Sequence, residues 1–340
     1  MGHGRKPEED HVTRKPNLDR EHGVAKAAVL PVLFFVLSGF ATAQVVPPGN
    51  GRDQENFRIS VEVDLVVLQA TVRDREGHTV AQLGQQNFEV FEDGRPQPIH
   101  LFRHEDTPVT VGLVIDHSGS MREKLADVTA GAQAFVHSSN PNDQMFVVNF
   151  NEAVSLGLPA GTRFSDNAEL LGGAIWGARA VGTTALYDAI IEALKRLQQG
   201  TSDKKVLIVI SDGGDNASKA SLDQVLKLAE QSSAMIYTIG IFDPEDPDRN
   251  PKVLQRIARE TGGEAMFPSR LGETVVICER IARDIRDQYT IGYSSPNERQ
   301  HGSYHKVRIT ARTSGNEKLS VRARAGYRAL GAFQPSKGAK

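Results

Sequence analysis

The sequence predicts an α/β fold, in which a doubly wound, mainly parallel sheet is inserted in, or flanked by, a small β-sandwich domain. Two observations lead to this prediction. Between residues 108 and 285, continuous apolar strands alternate with amphipathic helical segments, as in a parallel sheet covered on both faces. In residues 57–107 and 286–328, the strands instead alternate apolar and polar residues, which is typical of half-buried strands in antiparallel sheets.

Composition limits the chemistry that this chain can perform. Its 340 residues suggest two or three domains, and 40 Lys plus Arg against 42 Asp plus Glu argue against polyanion binding driven by net charge. The only cysteine, Cys278, excludes an internal disulfide framework and every multi-cysteine metal or redox site. Apolar residues recur at helical spacing around Cys278, so we expect a small buried hydrophobic residue there, without a functional role.

Residues 1–43 are predicted to be a leader and signal peptide. The apolar run at residues 27–37 follows Lys26, and Ala41-Thr42-Ala43 fits the small-residue cleavage pattern. Because the run is shorter than the roughly 20 residues that span a bilayer, we expect export, with a mature chain that starts near Gln44. An uncleaved signal anchor is the alternative, and the unusually long leader also allows a translation start further along.

Residues 44–56 are predicted to be a linker, and residues 57–107 the first part of the β-sandwich. Strands are predicted at residues 57–65, 66–72 and 88–91. Glu92-Asp93-Gly94 then gives a hairpin signal that contains glycine.

The α/β domain is predicted at residues 108–285. Its strands are expected at residues 111–115, 145–150, 206–210 and 235–239. Its helices are expected near residues 121–138, 186–198, 222–231 and 250–261. Asn250 and Pro251 favour the start of the last helix, as its N-cap and its first helical residue.

Strands return in residues 286–328, and a tail follows at residues 329–340. The predicted strands at residues 288–293, 306–310 and 319–324 are too few and too short to form a domain alone. We therefore expect them to pair with the N-terminal strands into one β-sandwich, with the α/β domain inserted between them. Independent β modules on either side are the alternative.

Oxygen-bearing side chains follow two of the predicted parallel strands. Asp116, Ser118 and Ser120 come directly after the first strand, and Asp212 follows a later one. Because ligands bind beyond the carboxyl ends of the strands in open parallel sheets, we expect these side chains to share one site, with the threonine loop at residues 182–184 between them. Carboxylate and hydroxyl oxygens suit Mg²⁺ or Mn²⁺ better than zinc.

Asp-x-Ser-x-Ser, a threonine loop and Ser-Asp-Gly, in this order, resemble the metal-ion-dependent adhesion site of a von Willebrand factor type A domain, over roughly residues 109–284. The resemblance implies hydroxyl ligands from Ser118, Ser120 and Thr184, with Thr183 as the rival of Thr184. It implies that Asp116 and Asp212 hold the metal directly or through water, and that an Asp or Glu of a partner completes the coordination. The flanking strands are similar to those of bacterial exported proteins related to this family.

Each motif also has a simpler interpretation. Asp-x-Ser-x-Ser alone is often a helix N-cap, and Ser-Asp-Gly alone is usually a turn. His117 is expected to be an exposed or packed loop histidine, and residues 243–248 a solvated acidic loop. The basic C-terminal strands, with Arg322 and Arg324 on one face, are expected to be an ordinary solvated face, with an anionic surface polymer as the less favoured interpretation.

These observations predict an exported, adhesion-type protein-binding module that depends on Mg²⁺ and performs no reaction. The alternative is a metal-dependent phosphohydrolase, but a nucleophilic aspartate scheme usually has a second carboxylate two positions on, where this chain has Ser118. No P-loop or Gly-x-Ser-x-Gly motif is present. Chelatase subunits that share this module are cytoplasmic, which the signal segment disfavours, and nucleic acid is not expected as a partner.

Overall fold

A computed structural model describes residues 65–177, 179–243, 245, 247–270, 272–295 and 302–329, which all lie in one compact unit spanning residues 60–340. The predicted signal segment, the linker and the start of the first predicted strand lie outside these residues, as does the C-terminal tail from residue 330. None of the helices in the described residues is long and apolar enough to cross a membrane.

The central sheet is mainly parallel, as the continuous apolar strands predicted. Its strands are β5 (Val109–Asp116), β6 (Gln144–Phe150), β7 (Val154–Leu156), β8 (Lys204–Ser211), β9 (Met235–Gly240) and β10 (Ala265–Met266). They lie in the order β10-β9-β8-β5-β6-β7, and only the edge strand β7 is antiparallel to its neighbour. All eight residues of β5 are buried, because the strand is central and covered on both faces.

Of the six helices in the described residues, five connect these strands, and the last leads into the second sheet. They are α1 (Leu125–Ser138), α2 (Ala168–Trp176), α3 (Leu186–Leu197), α4 (Leu222–Ser232), α5 (Pro251–Thr261) and α6 (Glu273–Arg286). Asn250 caps α5 as predicted, accepting a hydrogen bond from the amide of Val253 at 3.3 Å. Helix α2 was not predicted. The first helix begins at Leu125 and not at Met121, because residues 119–121 form a separate 3₁₀ turn that buries the Met121 side chain.

The strands before and after the α/β part pair with one another in an antiparallel sheet. These are β1 (Leu65–Arg73), β2 (Phe88–Glu92), β3 (Arg95–Gln97), β4 (Leu101–Arg103), β11 (Tyr289–Ser294), β12 (Tyr304–Arg312), β13 (Lys318–Arg322) and β14 (Gly326–Arg328). The order is β3-β2-β12-β13-β1-β11-β4, with β14 beside β12. Strand β1 pairs with both β11 and β13, so the α/β part is inserted between strands of one sheet. The predicted fold class is confirmed.

This second sheet curls over its own hydrophobic core. Four strands lie between Phe88 on β2 and Phe102 on β4 in the sheet order, yet their ring centroids are 5.4 Å apart. Tyr289 on β11 completes the cluster, at 4.9 Å from Phe88. Such contacts between opposite ends of the sheet require a sandwich-like curvature.

The turn between β2 and β3 forms as predicted. Asp93 and Gly94 both have positive φ angles, 48° and 81°, as a two-residue type I′ hairpin turn requires. Aspartate tolerates this conformation and glycine favours it, which explains why this pair of residues forms the turn.

A network of ion pairs joins the curled sheet to the α/β part. Glu264, just before β10, pairs with Arg73 of β1 and with Arg322 of β13. Arg324 donates hydrogen bonds to the carbonyl of Glu230 and the hydroxyl of Ser233, at 3.0 Å each. Arg322 and Arg324 thus bind other residues of the chain. The predictions that this pair forms a solvated face, or that it binds an anionic polymer, are therefore both wrong.

Candidate functional site

The two aspartates of the predicted site lie at the same edge of the parallel sheet. Asp116 is the last residue of β5, and Asp212 directly follows β8, the strand hydrogen-bonded to β5. Asp116 is fully buried, and Asp212 is only 2% exposed. The strand ends therefore carry two carboxylates into a region with little access to water.

A chain of hydroxyl groups links the two motifs. Ser120 Oγ donates a hydrogen bond of 2.5 Å to Asp212 Oδ2, and Ser118 Oγ lies 3.2 Å from Ser120 Oγ. Ser118 is buried, whereas Ser120 is exposed at the protein surface. The oxygens of Asp212, Ser120 and Ser118 thus form a continuous row, in which the exposed Ser120 lies between two buried residues.

Asp116 is held by its own loop and by β8. Its Oδ1 accepts a hydrogen bond from the amide of Ser118 at 2.8 Å, and its Oδ2 accepts one from Ser211 Oγ at 2.6 Å. Burial, together with the charge of the neighbouring Asp212, raises the pKa of Asp116 to about 6, against the effect of these two bonds. Asp116 is therefore a buried carboxylate whose charge the surrounding protein only partly compensates.

The threonine loop is tied to both aspartate loops. The carbonyl of Gly182 accepts a hydrogen bond from the amide of Gly119 at 3.1 Å. The amide of Thr184 donates to Asn216 Oδ1 at 2.8 Å, and the carbonyl of Thr184 accepts from the Asn216 amide. Thr184 is 6% exposed, whereas the rival Thr183 is exposed at the surface. The structure thus brings all three predicted loops together.

The donor set suits a hard divalent cation. Within the part of the chain that the structure describes, no salt bridge reaches Asp116 or Asp212. Buried carboxylates are costly unless a cation or hydrogen bonds compensate them. Carboxylate and hydroxyl oxygens, with water, are the ligands that Mg²⁺ and Mn²⁺ prefer, so the residues present fit such an ion.

His117 lies inside the fold and not at the surface of the site. The side chain is 2% exposed, and its Nε2 is 3.1 Å from Asn149 Oδ1. Asn149 in turn donates a hydrogen bond to the carbonyl of Ala174 at 2.8 Å. His117 thus connects the aspartate loop to helix α2, in agreement with the expectation of a packed loop histidine.

Exposed apolar side chains lie at the end of α2 and on the loop that leads to the threonines. Trp176, the only tryptophan of the chain, is 66% exposed at the end of α2, and Val181 is 44% exposed. The amide of Val181 donates to the carbonyl of His117 at 3.0 Å, and the Arg122 side chain lies 3.4 Å from the carbonyl of Ala180. These contacts fix the loop before the threonines against the aspartate loop, with its apolar side chains towards solvent.

Sequence reasoning missed two partners of this site and one separate cluster. Ser211 and Asn216 lie inside or beside Ser-Asp-Gly, but only the structure shows that their side chains hold Asp116 and the threonine loop. Glu92, Asp93 and His305 form a group in the curled sheet that could hold a divalent ion. Glu92 and Asp93 were assigned only to a turn, and no local signal connects them with a histidine more than 200 residues away.

Comparison with known proteins identifies the α/β part. Residues 110–275 match the family model of the von Willebrand factor type A domain. A von Willebrand factor type A protein from Catenulispora acidiphila is 14% identical, with a TM-score of 0.48, over 79% of this chain and 74% of that one. BatB from Bacteroides thetaiotaomicron is 18% identical, with a TM-score of 0.43, over 52% and 98% respectively.

A third structure, proximal thread matrix protein 1 from the mussel byssus, is described as having a zinc-occupied MIDAS motif. It is 18% identical, with a TM-score of 0.44, over 53% of this chain and 48% of that one. Among proteins with curated descriptions, none matches the chain significantly.

Proposed function

Residues 110–275 of this chain form a von Willebrand factor type A domain, and from this premise we propose that the protein is an exported binding module that captures a partner's carboxylate through a bound Mg²⁺ or Mn²⁺ ion. The observation that carries the proposal is the pair of buried carboxylates, Asp116 and Asp212, at one edge of the parallel sheet. Their loops also bring hydroxyl groups to the same place.

We assign five residues to the metal. Asp116, Ser118, Ser120, Thr184 and Asp212 would hold it, the aspartates directly or through water. Thr184 is preferred to Thr183 because it is buried, and because its backbone is fixed on both sides by Asn216. The bound ion would supply a positive charge to which a partner's carboxylate can bind. The chain's own residues would orient the ion and replace part of its water shell.

The exposed apolar side chains of Trp176 and Val181 favour a protein as the partner. Val181 presents apolar surface on a loop that is hydrogen-bonded to the aspartate loop, and Trp176 is exposed at the end of α2, five residues earlier in the chain. Exposed apolar groups next to a polar anchor are typical of binding surfaces, in which aromatic residues contribute a large share of the affinity. The partner would place an Asp or Glu on the metal, and an apolar residue next to it in the partner would pack against Trp176 and Val181.

Export is a second part of the proposal. It rests on the apolar run at residues 27–37 and on Ala41-Thr42-Ala43. The lone cysteine is compatible with an oxidising compartment, because Cys278 is fully buried. Mass analysis of the protein recovered from the producing cells tests this part. A chain that begins near Gln44 supports cleavage, and an intact N-terminus supports the anchor.

Metal binding is tested by thermal unfolding in Mg²⁺, Mn²⁺ or Ca²⁺ up to about 10 mM. Ions that bind only the folded state raise Tm, by an amount equivalent to roughly 2.7 kcal/mol at a hundredfold excess over Kd. Asp116→Asn and Asp212→Asn keep the size of each side chain but remove its charge. Asp223→Ala, on the exposed surface of α4, is the control. A saturable rise in the wild type and control, lost in both site variants, is expected, and no rise in the wild type would overturn the proposal.

Capture of a carboxylate is tested with the metal present. Glutarate should lower the Mg²⁺ concentration that gives half of the Tm rise, because two ligands that favour each other's binding are coupled reciprocally. Glutaramide, of similar size but uncharged, is the control and should have no effect. An equal effect of both compounds would contradict carboxylate capture.

The same preparation tests the alternative of a phosphohydrolase. Turnover of p-nitrophenyl phosphate should remain at background level with and without Mg²⁺. Metal-dependent turnover that Asp116→Asn abolishes would replace the binding proposal by catalysis.

A further inference from the structure

Three side chains with metal-binding atoms meet in the curled sheet, outside the α/β part. Glu92 ends β2, Asp93 begins the following turn, and His305 is the second residue of β12. Strands β2 and β12 are paired, and the amide of Asp93 donates to the carbonyl of Lys306 at 2.9 Å. This pairing brings the histidine to the turn although 212 residues separate it from Asp93.

The ligand atoms converge on one point. His305 Nδ1 lies 2.9 Å from Asp93 Oδ2 and 3.8 Å from Glu92 Oε1, and the three atoms lie within 4.8 Å of one another. Ligand atoms around a tetrahedral zinc ion are roughly 3.4 Å apart, given metal–ligand distances of about 2.0–2.2 Å. Small movements of the exposed Asp93 side chain would therefore suffice to place all three around one ion.

The opposite end of each of these groups is held by another partner. Ser303 Oγ lies 2.9 Å from His305 Nε2, and the amide of Lys306 donates to Asp93 Oδ1 at 2.9 Å. Tyr293 donates to Glu92 Oε2 and Ser295 donates to Glu92 Oε1, the oxygen nearest to His305, at 2.6 Å each. Outer partners of this kind orient the ligands of metal sites, and a bound ion would take the place of the proton through which His305 Nδ1 contacts the carboxylate of Asp93.

Access to the cluster is from the turn. Glu92 is buried and His305 is 8% exposed, whereas 42% of the Asp93 side chain is open to solvent. Asp93 therefore lies where an ion would enter.

We propose that Glu92, Asp93 and His305 form a second divalent-metal site that takes Zn²⁺, with water as the fourth ligand. The imidazole favours zinc over Mg²⁺, which prefers oxygen ligands only. The site is independent of the loops at Asp116 and Asp212. Bound zinc would fasten the β2–β3 hairpin to β12 and so stabilise the curled sheet.

A protonated His305 paired with both carboxylates is the competing state, and an experiment separates the two. The protein carries Asp116→Asn and Asp212→Asn, so that zinc cannot bind at the other site, and no affinity tag. Equilibrium dialysis against Zn²⁺ at pH 7.5 should give one ion for each chain that survives brief washing. Lowering the pH should weaken binding, since the ligands of a metal ion must be deprotonated.

The test variant is Asp93→Asn. Asparagine followed by glycine is a favoured type I′ turn, so this change preserves the hairpin while it removes the exposed carboxylate. It should weaken zinc binding by more than about a hundredfold, because loss of an outer-shell partner alone costs 10- to 100-fold. His305→Gln is the second variant and should also lose the ion.

His78→Gln is the matched control. His78 lies 3.3 Å from Asp74 in an exposed histidine–aspartate pair, and its loss should leave the bound zinc unchanged. Absence of bound zinc in the doubly substituted background would overturn the inference. So would equal zinc binding by the background protein, Asp93→Asn and His305→Gln. Neither result bears on the Mg²⁺ titration, which reports the site at Asp116 and Asp212.

Discussion

Ser120 donates a 2.5 Å hydrogen bond to Asp212, although 92 residues separate the two. This contact joins the loop after β5 to the loop after β8, and it is the shortest of the bonds that hold the two motifs of the site together. Parallel pairing of β5 with β8 makes it inevitable that the two loops leave the sheet at the same edge.

Replacement of Ser120 by alanine should weaken metal binding by at least about tenfold, because a ligand hydroxyl and the partner of Asp212 are both lost. The metal-free protein should lose only about 1 kcal/mol, since Ser120 is exposed. Thermal unfolding with and without Mg²⁺ measures both effects. Ser155→Ala, at the surface of β7, is the control. A Ser120→Ala protein with unchanged Mg²⁺ dependence would exclude Ser120 from the site.

The Mg²⁺-induced rise in Tm should increase with pH and disappear below about pH 6. Burial raises the pKa of Asp116 to about 6, and Mg²⁺ requires the ionised form. In metal-free buffer, the stability of the protein should depend on pH in the opposite direction. The unfolded state loses its proton first, so stability falls as pH rises from about 4 to 7, by on the order of 3 kcal/mol.

The Asp116→Asn variant isolates the contribution of Asp116 to the pH dependence of stability. Asp143, whose pKa burial also raises to about 6, titrates over the same range in both proteins. The difference between wild type and Asp116→Asn therefore reports Asp116, and the variant should be the more stable protein at pH 7 without metal. A variant that is less stable than the wild type at pH 7 and equally pH-dependent would contradict the assigned pKa.

Glu264→Gln should destabilise the protein by about 2 kcal/mol. Burial opposes ionisation of Glu264, but Arg322, Arg73 and Arg280 outweigh it and hold its pKa below the ordinary value. A depressed pKa means that this stability is present above about pH 4.5 and is lost as the pH falls further. This loss of stability is expected to be smaller than that for a fully buried ion pair, because a quarter of the Glu264 side chain is exposed.

Glu317→Gln is the control for this prediction. Glu317 pairs with Arg75 at 3.2 Å, but both side chains are more than half exposed. Urea unfolding should therefore show a change of less than about 0.5 kcal/mol. Equal effects of the two substitutions would mean that the ion pairs at the junction contribute no more than a surface pair.

The thiol of Cys278 should not react with thiol reagents in the native protein. It is fully buried between α6 and α1, and burial raises its pKa to about 12, so thiolate is scarce at neutral pH. Ellman's reagent at pH 8 should report no free thiol in buffer and one thiol for each chain in urea. Rapid reaction in buffer would show that α6 separates from α1 in the native state.

Trp176 should report partner binding by its fluorescence. The indole is two-thirds exposed, so Trp176→Ala should shift Tm by no more than about 1 °C. A peptide with aspartate between leucines should change the emission in Mg²⁺ but not in EDTA, and the matching asparagine peptide should have no effect. An unchanged emission, in a protein whose Tm responds to Mg²⁺, would separate metal binding from the proposed docking surface.

The predicted elements that proved right depend on neighbours in sequence. Asn250 and Pro251 cap α5, and Asp93 with Gly94 forms the hairpin turn, because these preferences act within a few residues. The helix predicted from Met121 failed at its start for a tertiary reason. Met121 is buried in the core, and a 3₁₀ turn places it there at the expense of the first helical turn.

The amino-acid sequence alone determined the alternation of strands and helices, and with it the edge of the sheet at which Asp116 and Asp212 meet, since parallel strands end together. Only the tertiary structure decided which distant groups face each other. Arg322 meets Glu264, and His305 meets Asp93, through strand pairings that connect the two ends of the chain. Such pairings form because apolar faces must be buried together, and no pattern within a few residues encodes the partner strand.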